Sequence, residues 1–438
     1  MSNTYQKNIG RAEPDPLPGE IAVPEQVLVS MAEIAGAAKE GLLALAVGTG
    51  LQVMGAMFDE DVTRLCGPEG KHNPDRAGYR HGAEDGSVTL GGRRVAVTRP
   101  RVRGADGSRE LHLPSCDLFS STEILGRMAM EKMLAGLSSR RCRRGLEPTG
   151  QAVEAQAVST SKSAVSRRFV AATETALADL MSRRLDDLDL VAFMADGVHF
   201  GEHTCVVALG IDLDGARHPL ALEEGSTENA TLVTDLITGL RDRGLDVAKP
   251  ILAVLDGSRA LSRAVKDVFD KPLIQRCQQH KIKNVRDKLP EKLRAVAEKR
   301  MRDAYRASSS VEAEGQLAAL ARELDKTHPG AAASLREGML DTLTILRLEV
   351  PPTLARTLRS TNPIESMIEI CREHSKNVKR WRDGKMALRW CAAGMLEADH
   401  QFRRVNGHLH LPALRTALEA QFTGNVSAAC HDETVNAA

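Results

Sequence analysis

The sequence predicts an α/β protein: a mixed strand-and-helix core interrupted by an all-α insertion, preceded by a mostly helical region with a small β-hairpin element. Three observations predict it. Two short apolar runs, Leu190–Ala195 and Ile251–Leu255, each lead into an Asp-Gly pair, the composition of a buried strand followed by a turn. Between them lie an alternating hairpin pattern and one amphipathic helix. Lys281 to about Arg356 then reads as helix throughout, with no strand pattern.

The 438 residues suffice for two or three domains with cores of their own. With 42% hydrophobic and 27% charged residues the chain reads as globular. The 3% aromatic content argues against the stacking surfaces of single-strand nucleic-acid binders. A formal net charge of +1 means that any affinity for nucleic acid must come from local basic patches. Eight scattered cysteines without a CxxC pair, a polar start unlike a signal peptide, and no apolar stretch of membrane-spanning length lead us to expect a reduced, cytoplasmic protein.

Taken in order, residues 1–26 read as a mobile arm and 27–186 as an N-terminal region. Helical spacing from Val27 to Phe58 breaks near Gly48-Thr49-Gly50, which suggests a buried helix pair. A β-ribbon follows at about 86–113, turning at Gly91-Gly92 and made basic by Arg93, Arg94, Arg99, Arg101 and Arg103. It reads equally as a solvated face or a DNA contact. A helix from Thr122 to Leu137 leads to the cluster Arg140, Arg141, Arg143 and Arg144. At about 150–182, a short helix, a Ser159-Thr160-Ser161 turn and a longer helix with Lys162, Arg167 and Arg168 would suit a helix-turn-helix whose second helix enters a major groove.

From 187 to 280 the expected order is a three-strand meander, helix, strand, helix and strand, with strand one ending at Asp196, strand four at Asp256, and a helix over Glu228–Arg243. That is the order of a ribonuclease H-like core. The helical insertion occupies 281–356, the core resumes over 357–420 with the helix bearing Glu365, and 421–438 form a tail.

Asp196, Asp256 and Glu365 are the candidate catalytic residues, each at a strand end or in the first turn of a helix. Phosphodiester chemistry adds a nucleophile to an anion while an alkoxide leaves. Two divalent cations roughly 3.5–4 Å apart stabilise both oxygens of the in-line displacement, and such hard ions take carboxylate ligands. Asp-Gly alone is ordinary turn chemistry; two such pairs plus a Glu after Asn362-Pro363 point to a site. Asp212, Asp214, Glu223 and Glu224 read as structural or solvent-facing, and Asp270 as a loop residue. Cys277 and His280 have the spacing of half a zinc site without a matching second half, and we assign them a structural or DNA-positioning role. His199 reads as a strand-end histidine near the cleft. Lys281 and Lys283, and the stripe Arg372, Lys376, Lys379, Arg380 and Arg382 continuing the Glu365 helix, are candidate phosphate contacts.

These residues fall in an ordered series of motifs. Asp196-Gly-Val-His-Phe, Glu224-Gly-Ser-Thr-Glu-Asn, Leu255-Asp-Gly, Gln275-Arg-Cys-Gln-Gln-His-Lys-Ile-Lys-Asn-Val and Ser360-Thr-Asn-Pro-Ile-Glu-Ser, with Thr160-Ser-Lys-Ser-Ala-Val-Ser-Arg-Arg-Phe upstream, resemble the Mutator-type transposases of bacterial insertion sequences. The likeness runs from about residue 30 to 415. It implies a DDE transposase whose Asp196, Asp256 and Glu365 bind two Mg²⁺ or Mn²⁺ ions, with Cys277 and His280 in the active region. It also implies an N-terminal part that reads terminal inverted repeats in double-stranded DNA, nicking followed by strand transfer, and at least a homodimer to synapse two ends. A bacterial, nucleoid-associated location in the cytoplasm goes with that reading. The rival readings are a structure-selective nuclease without strand transfer and a catalytically inactive DNA-binding regulator.

Overall fold

The computed structural model describes residues 41–435 except 91, 108, 143–145, 147–148, 159 and 227–228. The expected arm at 1–26, the helical spacing over 27–40, Arg143 and Arg144, and the last three residues of the tail lie outside the described residues. The rest divides into two compact units, one ending at Ala129 and including Ser139–Arg168, the other comprising Met130–Ser138 and the chain from Phe169 onward.

In the first unit, α1 (Leu42–Cys66) runs unbroken through Gly48 and Gly50, so the expected helix break does not occur. Two helical glycines weaken a helix by only about 1 kcal/mol each, and α1 buries Val47, Met54, Phe58 and Val62 in a core it shares with the sheet. Strands β1 (Gly78–Leu90) and β2 (Arg93–Gly104) form the hairpin around Gly92, and β3 (Glu110–Leu111) pairs with the end of β2. The ribbon's charge is largely matched internally. Arg94 bonds Ser87 and the Ser120 carbonyl, Arg99 pairs with Glu84, and Arg101 grips Glu110 at 2.6 Å. Helices α2 (Pro114–Ser120), α3 (Glu123–Leu134) and α4 (Gln151–Gln156) follow. Helix α4 ends at Gln156, two residues before the expected end, and β4 (Ala157–Val158) pairs with Arg94 and Val95 of β2; the first residue of the expected turn, Ser159, lies outside the described residues. Helix α5 (Lys162–Ser182) then carries Lys162 and Arg167 on its exposed side.

The second unit is built on five strands: β5 (Leu190–Phe200), β6 (His203–Asp212), β7 (Arg217–Glu224), β8 (Ile251–Leu255) and β9 (Pro272–Arg276). Their order is β7-β6-β5-β8-β9, antiparallel through the meander and parallel beyond it. Strand alternation sends two sets of side chains to opposite faces. Phe193, Ala195, Ala253 and Leu255 meet α6 (Ala230–Asp242) and α7 (Arg259–Val268) on one face. Val233, Leu236, Ile237 and Leu240 form the buried stripe of α6, and Asn229 caps its start.

On the other face Met194, Val198, Leu252 and Val254 pack with a helical layer from the C-terminal third. Between β9 and that layer come α8 (Gln278–Arg286), α9 (Glu291–Ala304), α10 (Ser310–Asp325), α11 (Pro329–Arg336), a 3₁₀ turn (Leu340–Leu343), α12 (Thr344–Arg347) and α13 (Pro352–Leu358). Ile282, Val285, Met301, Leu317 and Leu335 give this segment an apolar core of its own. The layer is completed by α14 (Asn362–Ser375), α15 (Gly384–Gln401), a 3₁₀ turn (His408–His410) and α16 (Leu411–Val435).

Helices α14 and α15 touch closely at Gly394, where a Cβ would lie 2.8 Å from the Cys371 Cα. Gly394→Ala should therefore force α14 outward and lower stability by about 1–3 kcal/mol. Chemical denaturation of the variant against the parent measures this, and an unchanged midpoint would refute the tight contact.

Candidate active site

The parallel register places two acids side by side. Ala192, Phe193 and Met194 of β5 lie opposite Leu252, Ala253 and Val254 of β8. Two residues past Met194 is Asp196; two residues past Val254 is Asp256. By alternation both follow the face of Met194 and Val254, against which Ile364, Met367 and Ile368 of α14 pack. Glu365 sits in the first turn of that helix, started by Pro363. Asp196 does not end its strand, as the sequence reading expected. β5 continues to Phe200 because β6 still pairs with it, while pairing with β8 stops at Met194. The sheet opens there, and Asp196 borders the opening.

Each carboxylate has one oxygen held. Asp196 Oδ1 accepts the Gly197 N–H at 2.7 Å, Asp256 Oδ1 accepts the Ser258 N–H at 2.8 Å, and Glu365 Oε1 accepts the Thr361 hydroxyl at 2.7 Å. Gly257 makes the Asp256 turn with φ 110°, where a Cβ would strike the Arg276 guanidinium. Burial pushes the Asp196 carboxyl up to about 6, and the charges of Asp256 and Glu365 add to the shift against the pull of Gly197 and His280.

Beside the acids stands a second cluster. Cys277, His280 and Glu365 offer ligand atoms within 4.8 Å of one another, a grouping that no other three such residues are found to match among those described. His280 Nε2 lies 3.8 Å from Glu365 Oε1. Thr361, fully buried, joins the cluster: its hydroxyl contacts Cys277 Sγ at 3.4 Å and His280 Nδ1 at 3.3 Å as well as Glu365. The neighbouring Cys277 thiol, with Glu365 and Asp196, drives the imidazole up to about 9 against burial. Burial raises the thiol itself, but hydrogen bonds from His280 and Thr361 outweigh it and leave it below its ordinary value. The residue grouped with the Cys277–His280 pair is thus Glu365, far along the chain. Sequence reading passed over Thr361, because a threonine before Asn-Pro looks like routine helix-start chemistry.

Asp196, Gly197, His199, His280, Lys283, Glu365, Glu369, Arg372 and Lys376 line an open cleft of about 880 Å³. His199 bonds Thr204 at 2.8 Å. Asp256 faces a separate recess of about 420 Å³ with Ser258, Arg259, Arg276 and Asn284. Lys283, Arg372 and Lys376 are exposed at the cleft. Lys281 is not available to DNA. It is fully buried, and its ammonium is spent on the Ser334 and Glu337 carbonyls, capping α11. Lys379, Arg380 and Arg382 do not continue a helical stripe either: α14 ends at Ser375, and they lie in the following loop, where Trp381 packs on Phe200 and Asp383 caps α15. Lys162, Arg167 and Arg168 belong to the start of α5, in the first unit. Asp212 is structural, accepting the Ala216 N–H at 2.8 Å and pairing with His218 at 2.7 Å.

The donor set fits hard divalent cations: three carboxylates, two of them from adjacent strands, each with one oxygen held and the other accepting no hydrogen bond among the described residues. The class of protein these features define is an α/β protein with a carboxylate-lined cleft at a sheet edge. Comparison with known proteins narrows it. The family model described as "Transposase, Mutator family" matches residues 25–405. The chain is 26% identical over 366 residues to a transposase for insertion sequence element ISRM5 of Rhizobium meliloti, covering 83% of this chain and 89% of that one. It is 31% identical over 204 residues to the transposase for IS6120 of Mycolicibacterium smegmatis, covering 45% of this chain and 62% of that one. The chain belongs to the Mutator family of transposases.

In metal-free protein the raised Asp196 carboxyl means that the folded state holds a proton the unfolded state has released. Stability therefore falls as pH rises from the ordinary aspartate range to about 6, and the loss is complete above it. Asp196→Asn should raise the stability of metal-free protein at pH 8 by about 1–3 kcal/mol and change it little at pH 4. Thermal unfolding at both pH values tests this; a destabilised variant at pH 8 would refute it.

Proposed function

We propose that the chain is a DNA transposase that binds the terminal inverted repeats of its element, hydrolyses a phosphodiester at each end, and transfers the freed 3′-hydroxyl to target DNA. In this reading the second unit is a ribonuclease H-like core with a helical insertion before Glu365. The observation that supports it is the β5–β8 register, whose paired strands lead into Asp196 and Asp256 on the sheet against which the Glu365 helix packs. Asp196, Asp256 and Glu365 would hold two Mg²⁺ or Mn²⁺ ions, which when bound stabilise charge on the attacking and departing oxygens.

The chain's own groups do the rest. Thr361 fixes Glu365 Oε1 and so orients the carboxylate. His280, cationic at neutral pH, donates toward a phosphate oxygen in the cleft and offsets the charge of the acids. Lys283, Arg372 and Lys376 meet the flanking phosphates. The partner is duplex DNA, and synapsis of two ends requires at least a homodimer.

The test is a strand-transfer assay with end-repeat duplex and Mg²⁺. Joined product is expected from the parent protein and none above background from Asp256→Ala, whose repeat binding should stay within about twofold of the parent. Nicks without joining would mark a nuclease, and binding alone a regulator. Chelation with EDTA should abolish both cleavage and joining and leave binding in place; cleavage surviving EDTA would overturn the metal assignment.

A further inference from the structure

The helical segment between β9 and α14 engages several of its arginines with anions or backbone carbonyls. Arg300 is paired with Glu323, Arg336 with Asp325, and Arg302 with Glu298 at 2.7 Å, while Arg294 donates to the Leu289 carbonyl at 2.9 Å. Four arginines of the segment lack such a partner: Arg322, exposed on α10, and three others. Arg306 just past α9, Arg356 on α13 and Arg359 just past α13 make no side-chain hydrogen bond and no ion pair with any described residue. Arg306 and Arg356 are exposed and Arg359 is half-buried.

Backbone geometry fixes where this charge lies. The Arg359 carbonyl accepts the Gln278 N–H at 3.0 Å, which pins it to the start of α8, and Thr361 follows two residues later. The far end of α8 is tied to α9 through Arg286 and Glu298 at 2.9 Å, and Glu298 also holds Arg302, one turn before Arg306. Burial, then the charges of Arg306, Arg356 and Arg302, hold the Arg359 guanidinium below its ordinary value, so the four share one electrostatic neighbourhood. Arginines crowded together without counter-ions repel one another, and a surface keeps such a cluster at a cost unless an external anion relieves it. A planar guanidinium suits bidentate contact with phosphate oxygens.

We propose that Arg306, Arg356 and Arg359 form a sequence-independent seat for the sugar–phosphate backbone of duplex DNA, on the helical segment beside the Cys277–Thr361 end of the cleft. This rests on the transposase reading and deepens it: the seat extends the DNA path past the cleft lysines and onto the insertion.

The test measures equilibrium binding of the full chain to a terminal-repeat duplex and to an unrelated duplex of equal length, across a series of salt concentrations. The variant is Arg306→Ala/Arg356→Ala/Arg359→Ala, with a triple Arg→Lys variant beside it. The alanine variant should lose roughly tenfold or more in affinity on both duplexes. Its salt slope should shrink by about 0.9 per lost phosphate contact, or roughly 2–3 in all, while the lysine variant keeps most of the slope. An unchanged slope, or a loss confined to the repeat duplex, would overturn the seat. Should the triple variant fail to fold, Arg356→Glu alone, at an exposed position, must still reduce binding to both duplexes. The two readings fail separately. Joined product from the parent with no slope change in the variant removes the seat alone, whereas arginine-dependent binding without joined product or nicking removes the transposase reading alone.

Discussion

The parallel pairing of β5 with β8 is the constraint on which the site depends. Three residue pairs hold it, and Asp196 and Asp256 each come two residues after the last of them. Shifting either strand by one residue would turn one acid to the opposite face, into the apolar layer of α6 and α7. That register is itself secured by burial, since Met194, Leu252 and Val254 are fully enclosed on the side where α14 packs. Helix α14 can approach because Gly394 leaves room for the Cys371 backbone. One packing arrangement thus delivers the third acid as well.

The cleft pays for this convergence in electrostatics. Asp196 is partly buried beside two other carboxylates, which is why its proton is held so firmly in the absence of a cation. His280 and Thr361 supply partial relief, one by positive charge and the other by a donated hydrogen bond. Cys277 accepts the Thr361 N–H and touches its hydroxyl, so that the starts of α8 and α14 are linked through a single sulfur. The acids, the Cys–His pair and the Ser-Thr-Asn-Pro segment therefore act as one structural unit rather than as separate motifs.

Strands β5 to β9, the helices between them and the first-turn position of Glu365 were all legible from period and punctuation, because buried strands and capped helices carry strong local signals. The errors came where tertiary partners override such signals. Gly48 and Gly50 do not break α1, because its apolar stripe packs from Val47 to Cys66 on either side of them. The Ala157–Val158 segment is captured by β2 instead of continuing the helix before it. Lys281 has the composition of a phosphate contact but lies under α11, and the residues after Ser375 leave the helix because Trp381 is drawn onto Phe200.

By itself, the sequence determined which side chains have the chemistry for a carboxylate site, the element on which each rides, and the family to which the chain belongs. Only the tertiary structure decided that Asp196 and Asp256 are lateral neighbours, that Glu365 completes the Cys277–His280 cluster through Thr361, and which basic residues reach the surface without a partner. The reason is physical: residue type and period are properties of a local segment, whereas register, close approach and charge matching are set by groups tens of residues apart that meet only in the folded chain.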